Sequence, residues 1–396
     1  MTRLLIVSHT PHYRRQGQIV GWGPTVRELD QLAQLFTQVT HVAPLYAGAA
    51  PASALPYQAA HLRLRPVPPA GGERLGDKVG IARALPGYLG AIYTAMGQAD
   101  VMHVRCPANI SLAALALLAL SRRAPRRWIK YAGNWQPDGQ EAWSYRLQRG
   151  WLRRGLPGSV VTVNGRWPQQ PPWVHSFHNP SLTAQELEAG RLAAARKRLT
   201  QPVRLLFVGR IEAAKGVGVA LRAAQELAQR GLALQFDLVG DGPERTRFAQ
   251  WAQAHGLQAQ VCFHGWRPPA EVADFYARAH FCLLPSRSEG WPKVLSEAMA
   301  YGVVPLAGRV GSIPQILAET GAGAALPPAE PAAYANAILE FVAEPARWRA
   351  ASQAGVAAAP RFGYGAYLQA VQRLFAQSWR LTLPDHAPQP AARPAP

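Results

Sequence analysis

Two glutamates, Glu289 and Glu297, are separated by seven residues in the stretch PSRSEGWPKVLSEAMAYG, from Pro285 to Gly302. The apolar run before them, FCLLP from Phe281 to Pro285, reads as a buried strand entering a polar turn. Pro292 suits the first turn of a following helix, where its missing N–H costs nothing. Trp291 precedes a proline and is pushed towards an extended backbone, which supports the turn. Glu289 is then expected at the mouth of the helix and Glu297 about a turn and a half inside it. Free N–H groups and the positive dipole end at such a mouth favour an anion, usually phosphate. Carboxylates presented there can accept hydrogen bonds from hydroxyls on groups flanking that phosphate. The same spacing also fits a plain strand–turn–helix whose carboxylates cap the helix and face solvent.

A second constellation lies in VGRIEAAKG (Val208 to Gly216), where Arg210 and Lys215 flank a turn after the apolar strand VRLLFVGR. Two cations held between a strand end and a helix start can clamp a diphosphate. A departing diphosphate needs its developing charge neutralised by metal or by cations. The chain has no Asp-x-Asp pair, so a metal-independent clamp is the consistent chemistry, and neither a metal nor another cofactor is expected. Alone on a surface turn, an Arg and a Lys carry little information. The strand and turn LQFDLVGDGPE (Leu234 to Glu244) invite a rival reading as a dinucleotide fingerprint. Arg245 stands where its third glycine would be, and the strand is not first in its unit.

These residues need a scaffold of strands and helices. At 396 residues the chain suggests two domains of roughly 150–200 residues each. Short apolar runs alternate with amphipathic stretches, the pattern of α/β layering. Strand-like runs restart at RLLIVSH (residue 3) and at VRLLFVGR (residue 203), so each half has its own sheet. The net charge of +19 is uneven: residues 1–200 hold 24 Lys and Arg against 9 Asp and Glu, and the remainder holds 18 against 14. The basic half is a candidate surface for an anionic partner, or it reflects arginine use that only aids solubility. Nucleic acid is not favoured, because no recognised binding module accompanies the charge. Cys106, Cys262 and Cys282 lack ligand spacing and read as reduced core thiols of a cytoplasmic protein. The opening residues read as a first strand and not a signal peptide, and Ile110 to Leu120 is too short to span a bilayer.

Four ordered segments, PSRSEGWPKVLSEAMAYG, VGRIEAAKG, LVGDGPE (Leu238 to Glu244) and GSIPQIL (Gly311 to Leu317), carry a resemblance. They are similar to the donor-site motifs of the retaining GT-B glycosyltransferases of family 4, the glycosyl transferases group 1. The likeness is strong over the last half of the chain and weak over the first. It implies an α/β fold of two Rossmann-like domains facing a central cleft, with a C-terminal helix crossing back to the first domain. The expected boundaries are 1–200 for the acceptor side, 201–360 for the donor domain, 361–380 for the crossover helix and 381–396 for a disordered tail. The implied reaction moves a sugar from a nucleoside-diphosphate sugar to a glycan or lipid-linked acceptor with retention. Glu297 would hold the ribose, Glu289 the sugar hydroxyls, and Arg210 and Lys215 the diphosphate. Gly209, Gly265, Trp266, Arg267, Gly290, Trp291, Pro292 and Val294 would complete the donor pocket, and Gly311 and Ser312 would lie near it. A non-catalytic nucleotide-sugar-binding scaffold and a GT-B epimerase or phosphorylase remain alternatives.

In the first half, RRQGQIVGWGP (Arg14 to Pro24) reads as a glycine loop before a helix from Thr25, with Thr25 and Glu28 in capping-box spacing. Gly21 and Gly23 would face the donor diphosphate; a plain flexible loop is the other reading. Ala47 to Pro86 reads as irregular connection with one short strand. Many family members carry a pocket histidine at about the position of Gly133; His103, Arg105 and Asn134 are the acceptor-side candidates instead, with His103 also readable as a buried structural histidine. The stretch AWSYRLQRGWLRRGL (Ala142 to Leu156) interleaves Trp143, Leu147 and Trp151 with Arg146, Arg149, Arg153 and Arg154 at helical spacing. Such a helix suits an anionic membrane surface, with Arg122, Arg123, Arg126, Arg127 and Lys130 extending its face. Alternatively its aromatic stripe packs into the core. The protein is thus expected in the cytoplasm, either freely soluble or peripheral on the inner face of the membrane.

Overall fold

The computed structural model describes residues 2–71, 75–121, 125–137 and 141–385. These divide into two units: residues 2–135, 141–177 and 367–385 form the first, and 178–366 with 136 and 137 form the second.

The first unit is built on a parallel sheet of seven strands. Their order is Val174–Phe177, Ser159–Asn164, Arg126–Tyr131, Val101–Cys106, Arg3–Val7, Gln38–Pro44 and Leu62–Val67. Parallel strands are covered on both faces, which explains the unbroken apolar run LLIV (residues 4–7) at the centre. Its alternate side chains serve two cores: Leu5 and Val7 face one cluster, while Leu4 and Ile6 face another. That second cluster also takes Tyr367, Leu368, Val371 and Phe375 from the helix Tyr364–Trp379.

Several expectations for this half are corrected. Ala47 to Pro86 is not mainly irregular, because Leu75–Met96 forms a helix through Pro86. Ala84, Tyr88, Ile92 and Ala95 recur on its buried face, an apolar period that outweighs the proline and glycine content. The glycine loop is a β-hairpin, His12–Arg15 with Gln18–Trp22, joined by Ala54–Pro56 into a three-stranded sheet. Its turn holds Gln16 and Gly17 at positive φ, the geometry of a tight hairpin. The following helix starts at Gly23 with Trp22 as N-cap, so the Thr25–Glu28 capping box does not form. Residues 381–385 are ordered against the first unit: Leu383 is buried and Gln372 donates to the Pro384 carbonyl at 2.8 Å. The rest of the expected tail, and Arg122 and Arg123, lie outside the described residues.

The second unit has a six-stranded parallel sheet. The order is Val261–Gly265, Leu234–Val239, Val203–Val208, Phe281–Leu284, Val304–Gly308 and Ala324–Leu326. The chain lays its first three strands outward in one direction, then returns to the other side of Val203–Val208. The switch point therefore lies between Val203–Val208 and Phe281–Leu284, where open α/β sheets bind ligands beyond their strand ends. This unit begins at residue 178, not near 201. The helix Ala184–Arg196, started by a Thr183–Glu186 capping box, belongs to it. Gly190 lets that helix approach the Ala300 carbonyl to a distance no Cβ would allow, and Lys197 donates to the carbonyls of Tyr276 and Ala279 at 2.6 and 2.7 Å.

Candidate functional site

The segments singled out in the second unit all follow C-terminal ends of its parallel strands, and two of them meet at the switch point. Lys215 closes a short 3₁₀ turn, Ala213–Lys215, after the strand Val203–Val208. Glu289 follows the neighbouring strand, Phe281–Leu284. The Lys215 Nζ donates to Glu289 Oε1 at 2.6 Å, with the two side chains 32% and 13% exposed. Solvent, and hence a ligand, can reach the pair.

Backbone packing fixes this meeting. Gly216 has φ +78°, and a Cβ there would overlap the Pro285 carbonyl oxygen, so only glycine lets the two loops touch. The Arg287 N–H donates to the Ala214 carbonyl at 3.2 Å, a further tie between them. From the other side, Gly311 at φ +56° presses on the Glu289 and Gly290 carbonyls. Ser312 then donates to the Gly290 carbonyl with both its N–H (3.0 Å) and its Oγ (2.8 Å). Neighbouring strand ends are linked in turn: the Gly209 N–H reaches the Val239 carbonyl at 3.0 Å, and the Gly240 N–H reaches Gly265 at 2.8 Å.

The helix after Glu289 spans Lys293–Ala300, with Pro292 as its extended N-cap and not inside its first turn. Glu297 Oε2 accepts from the Tyr276 hydroxyl at 2.9 Å. Burial and the Glu297 carboxylate hold Tyr276 well above its ordinary value, so it acts as a fixed donor that orients Glu297. Val294 is half-buried on the same helix, and its carbonyl lies 3.4 Å from the Tyr276 hydroxyl.

Other site expectations are placed differently. Arg210 is 65% exposed and pairs with Glu212 at 3.0 Å, so the structure does not join it to Lys215. The Trp291 indole is committed to the core, stacked on Phe362 at 5.1 Å and donating to Ser296 Oγ at 2.7 Å. Trp266 is half-exposed, and Arg267 pairs with Glu271 at 3.1 Å on the surface. Gly265 has φ +71°, which its turn requires. Tyr276 was missed because a tyrosine inside an amphipathic helix looks like core. Gly216 was missed because its need arises from a loop about 70 residues away.

In the first unit packing accounts for Gly21 and Gly23: a Cβ would strike the His12 ring at 2.7 Å and the Ser53 carbonyl at 2.6 Å, respectively. Arg105 is not a free acceptor-side cation. Its Nη1 and the Lys130 Nζ both donate at 2.6 Å to Oε1 of Glu28, which is fully buried. Burial opposes charge on Arg105, but Glu28 beside it holds the guanidinium above its ordinary value. Lys130 is thus internal and does not extend a basic face. His103 is fully buried with its ring centroid 3.8 Å from that of Trp128, and burial and Arg105 keep it neutral. Asn134 is half-buried beside Trp135. At Gly133 a Cβ would come within 3.3 Å of Pro107, so a larger side chain there requires this proline to give way.

With this geometry in place, comparison with known proteins is decisive for the second unit. Residues 193–357 match the model of the glycosyl transferases group 1. The second unit is a glycosyl transferases group 1 domain. Across 229 residues the chain is 30% identical to D-inositol 3-phosphate glycosyltransferase 1 of Catenulispora acidiphila, covering 55% of this chain and 53% of that one. The chain thus spans about half the length of the curated relatives it matches. Among solved structures, sucrose-phosphate synthase from Thermosynechococcus elongatus aligns with a TM-score of 0.73 at 20% identity, over 96% of this chain and 100% of that one. HepE of Anabaena, solved with UDP and glucose, aligns with a TM-score of 0.67 at 15% identity over 95% and 100%. At these identities the likeness shows the fold, which is GT-B with two Rossmann-like domains.

Proposed function

We propose that this group 1 protein transfers a sugar from a nucleoside-diphosphate sugar to a glycan or lipid-linked acceptor, with retention and without a metal. The observation that carries the reading is the Lys215–Glu289 contact at the sheet's switch point. A sugar diphosphate places a phosphate directly beside sugar hydroxyls, and an ammonium beside a carboxylate is the complementary arrangement. Lys215 then neutralises the charge that grows on the departing phosphate, and Glu289 accepts from sugar hydroxyls. Glu297, oriented by Tyr276, is suited to ribose hydroxyls, and Gly209, Gly290 and Val294 would complete the donor pocket. Arg210 joins by exchanging Glu212 for phosphate, as its exposure permits. Front-face substitution assisted by the leaving phosphate accounts for retention without a protein nucleophile. HepE bound UDP and glucose, which favours a uridine nucleotide among the donors to try first. The test is turnover of UDP-, GDP- and ADP-sugars by the whole chain with a chelator present, reading the anomeric configuration of the product by NMR. Retained product at an unchanged rate is expected. Inverted product, or activity abolished by the chelator, contradicts the reading.

We also propose that the first unit rests on an anionic membrane surface from the cytoplasmic side, where a lipid-linked acceptor would be met. On the helix Trp143–Arg154 the buried face is Ser144, Gln148 and Leu152, while Trp143 and Leu147 are 70% and 47% exposed beside the exposed Arg146 and Arg154. Exposed apolar side chains among arginines are what a bilayer interface with acidic headgroups accepts. The double substitution Trp143→Ala with Leu147→Ala should weaken co-sedimentation with phosphatidylglycerol vesicles about tenfold or more. Equal binding by the two proteins would contradict the contact.

A further inference from the structure

The outer edge of the second unit's sheet carries a cluster that the donor site does not use. Cys262 and His264 stand two residues apart on the edge strand Val261–Gly265, so their side chains share one face. Asp237, a carboxylate in the otherwise largely apolar strand Leu234–Val239, is the register partner of Cys262. Its Oδ1 lies 2.6 Å from His264 Nε2, and its Oδ2 accepts from Arg278 Nη2 and Nε at 3.2 and 3.3 Å. A carboxylate at Nε2 makes that nitrogen the donor, which leaves Nδ1 as the acceptor. Nδ1 faces Cys262 Sγ at 3.8 Å. The imidazole also lies edge-on to Phe275, with ring centroids 4.5 Å apart, and the Arg278 guanidinium covers that ring at 4.1 Å. Thiol, base and orienting carboxylate are thus aligned, and the thiol is exposed, whereas Cys106 and Cys282 are buried.

We propose that Cys262 is a reactive thiol, activated by the His264–Asp237 pair, that forms a mixed disulfide with low-molecular-weight disulfides. Its Sγ attacks one sulfur of the disulfide as the thiol proton moves to His264 Nδ1. The new Sγ–S bond forms while the old S–S bond breaks, and the leaving thiolate takes that electron pair and then the proton. The small disulfide is reduced and Cys262 is oxidised. Burial and the Asp237 carboxylate push the resting thiol up, with Arg278 and Arg267 pulling the other way, so a base at hydrogen-bond reach matters here.

The test is the rate of thiol labelling of the folded chain by dithiobis-nitrobenzoate and by glutathione disulfide, with the labelled cysteine identified by mass. One cysteine per chain, Cys262, should react, and Cys262→Ser should abolish the reaction. His264→Gln, checked for an unchanged melting temperature, should slow it by about 10- to 100-fold. If that variant is unstable, Asp237→Asn and the pH profile of the unsubstituted protein decide instead. Appreciable reaction well below the pH at which an isolated raised thiol ionises is expected. Equal rates with and without His264, or labelling of all three cysteines together only on unfolding, would overturn the proposal.

Discussion

Lys215→Ala should lower kcat/KM for nucleotide-sugar turnover by about 10²- to 10³-fold, the loss seen when one fixed donor to a developing anion is removed. The effect falls on chemistry and phosphate binding because the Nζ sits at the switch point beside Glu289. Stability should hardly change. The lysine side chain is 32% exposed, and solvent screening limits such a pair to below about 1 kcal/mol, a shift of roughly 2–4 °C at most in a unit of this size. Kinetics and thermal melting of the same preparation separate the two. A large fall in melting temperature with unchanged kcat/KM would make the pair a structural tie and not a site.

Glu28→Gln should do the opposite: destabilise the first unit while leaving the site residues of the second intact. The carboxylate is fully buried and its Oε1 accepts from both Arg105 and Lys130 at 2.6 Å. Removing its charge leaves two cations buried and unneutralised, at a cost of about 3–5 kcal/mol, or roughly 10 °C in melting temperature. Arg105 and Lys130 come from adjacent strands and Glu28 from the helix Gly23–Ala33, so this contact pins that helix to the sheet. Thermal melting of Glu28→Gln measures it directly. An unchanged melting temperature would mean that water or rearrangement already satisfies the two cations.

What the sequence revealed and what it hid follow from the range of the interactions. The strands of the second unit are largely apolar runs ending in glycine or proline turns, a local signal, and the residues that follow each strand end could be named from it. That Lys215 would touch Glu289 specifically, while Arg210 turned to Glu212, depends on loop packing governed by Gly216 and Gly311. The Thr25–Glu28 spacing has a local meaning as a capping box, and it misled because the partners of Glu28 lie 77 and 102 residues away. Leu75–Met96 was hidden by proline and glycine that local propensity penalises but tertiary burial tolerates. In the helix Trp143–Arg154 the amphipathic period was readable, but not its direction: three modest residues face inward and the tryptophan at its start faces out.

If Lys215 and Glu289 hold a nucleoside-diphosphate sugar, nucleotide affinity must depend on the lysine. Calorimetric titration of the unsubstituted chain and of Lys215→Ala with UDP, GDP, ADP and their common sugars measures that dependence. Saturable binding of one nucleotide, weakened about tenfold or more by the substitution, is the expected result and identifies the base. No binding by any of them, or equal affinity in both proteins, would contradict the site and return the chain to the scaffold reading.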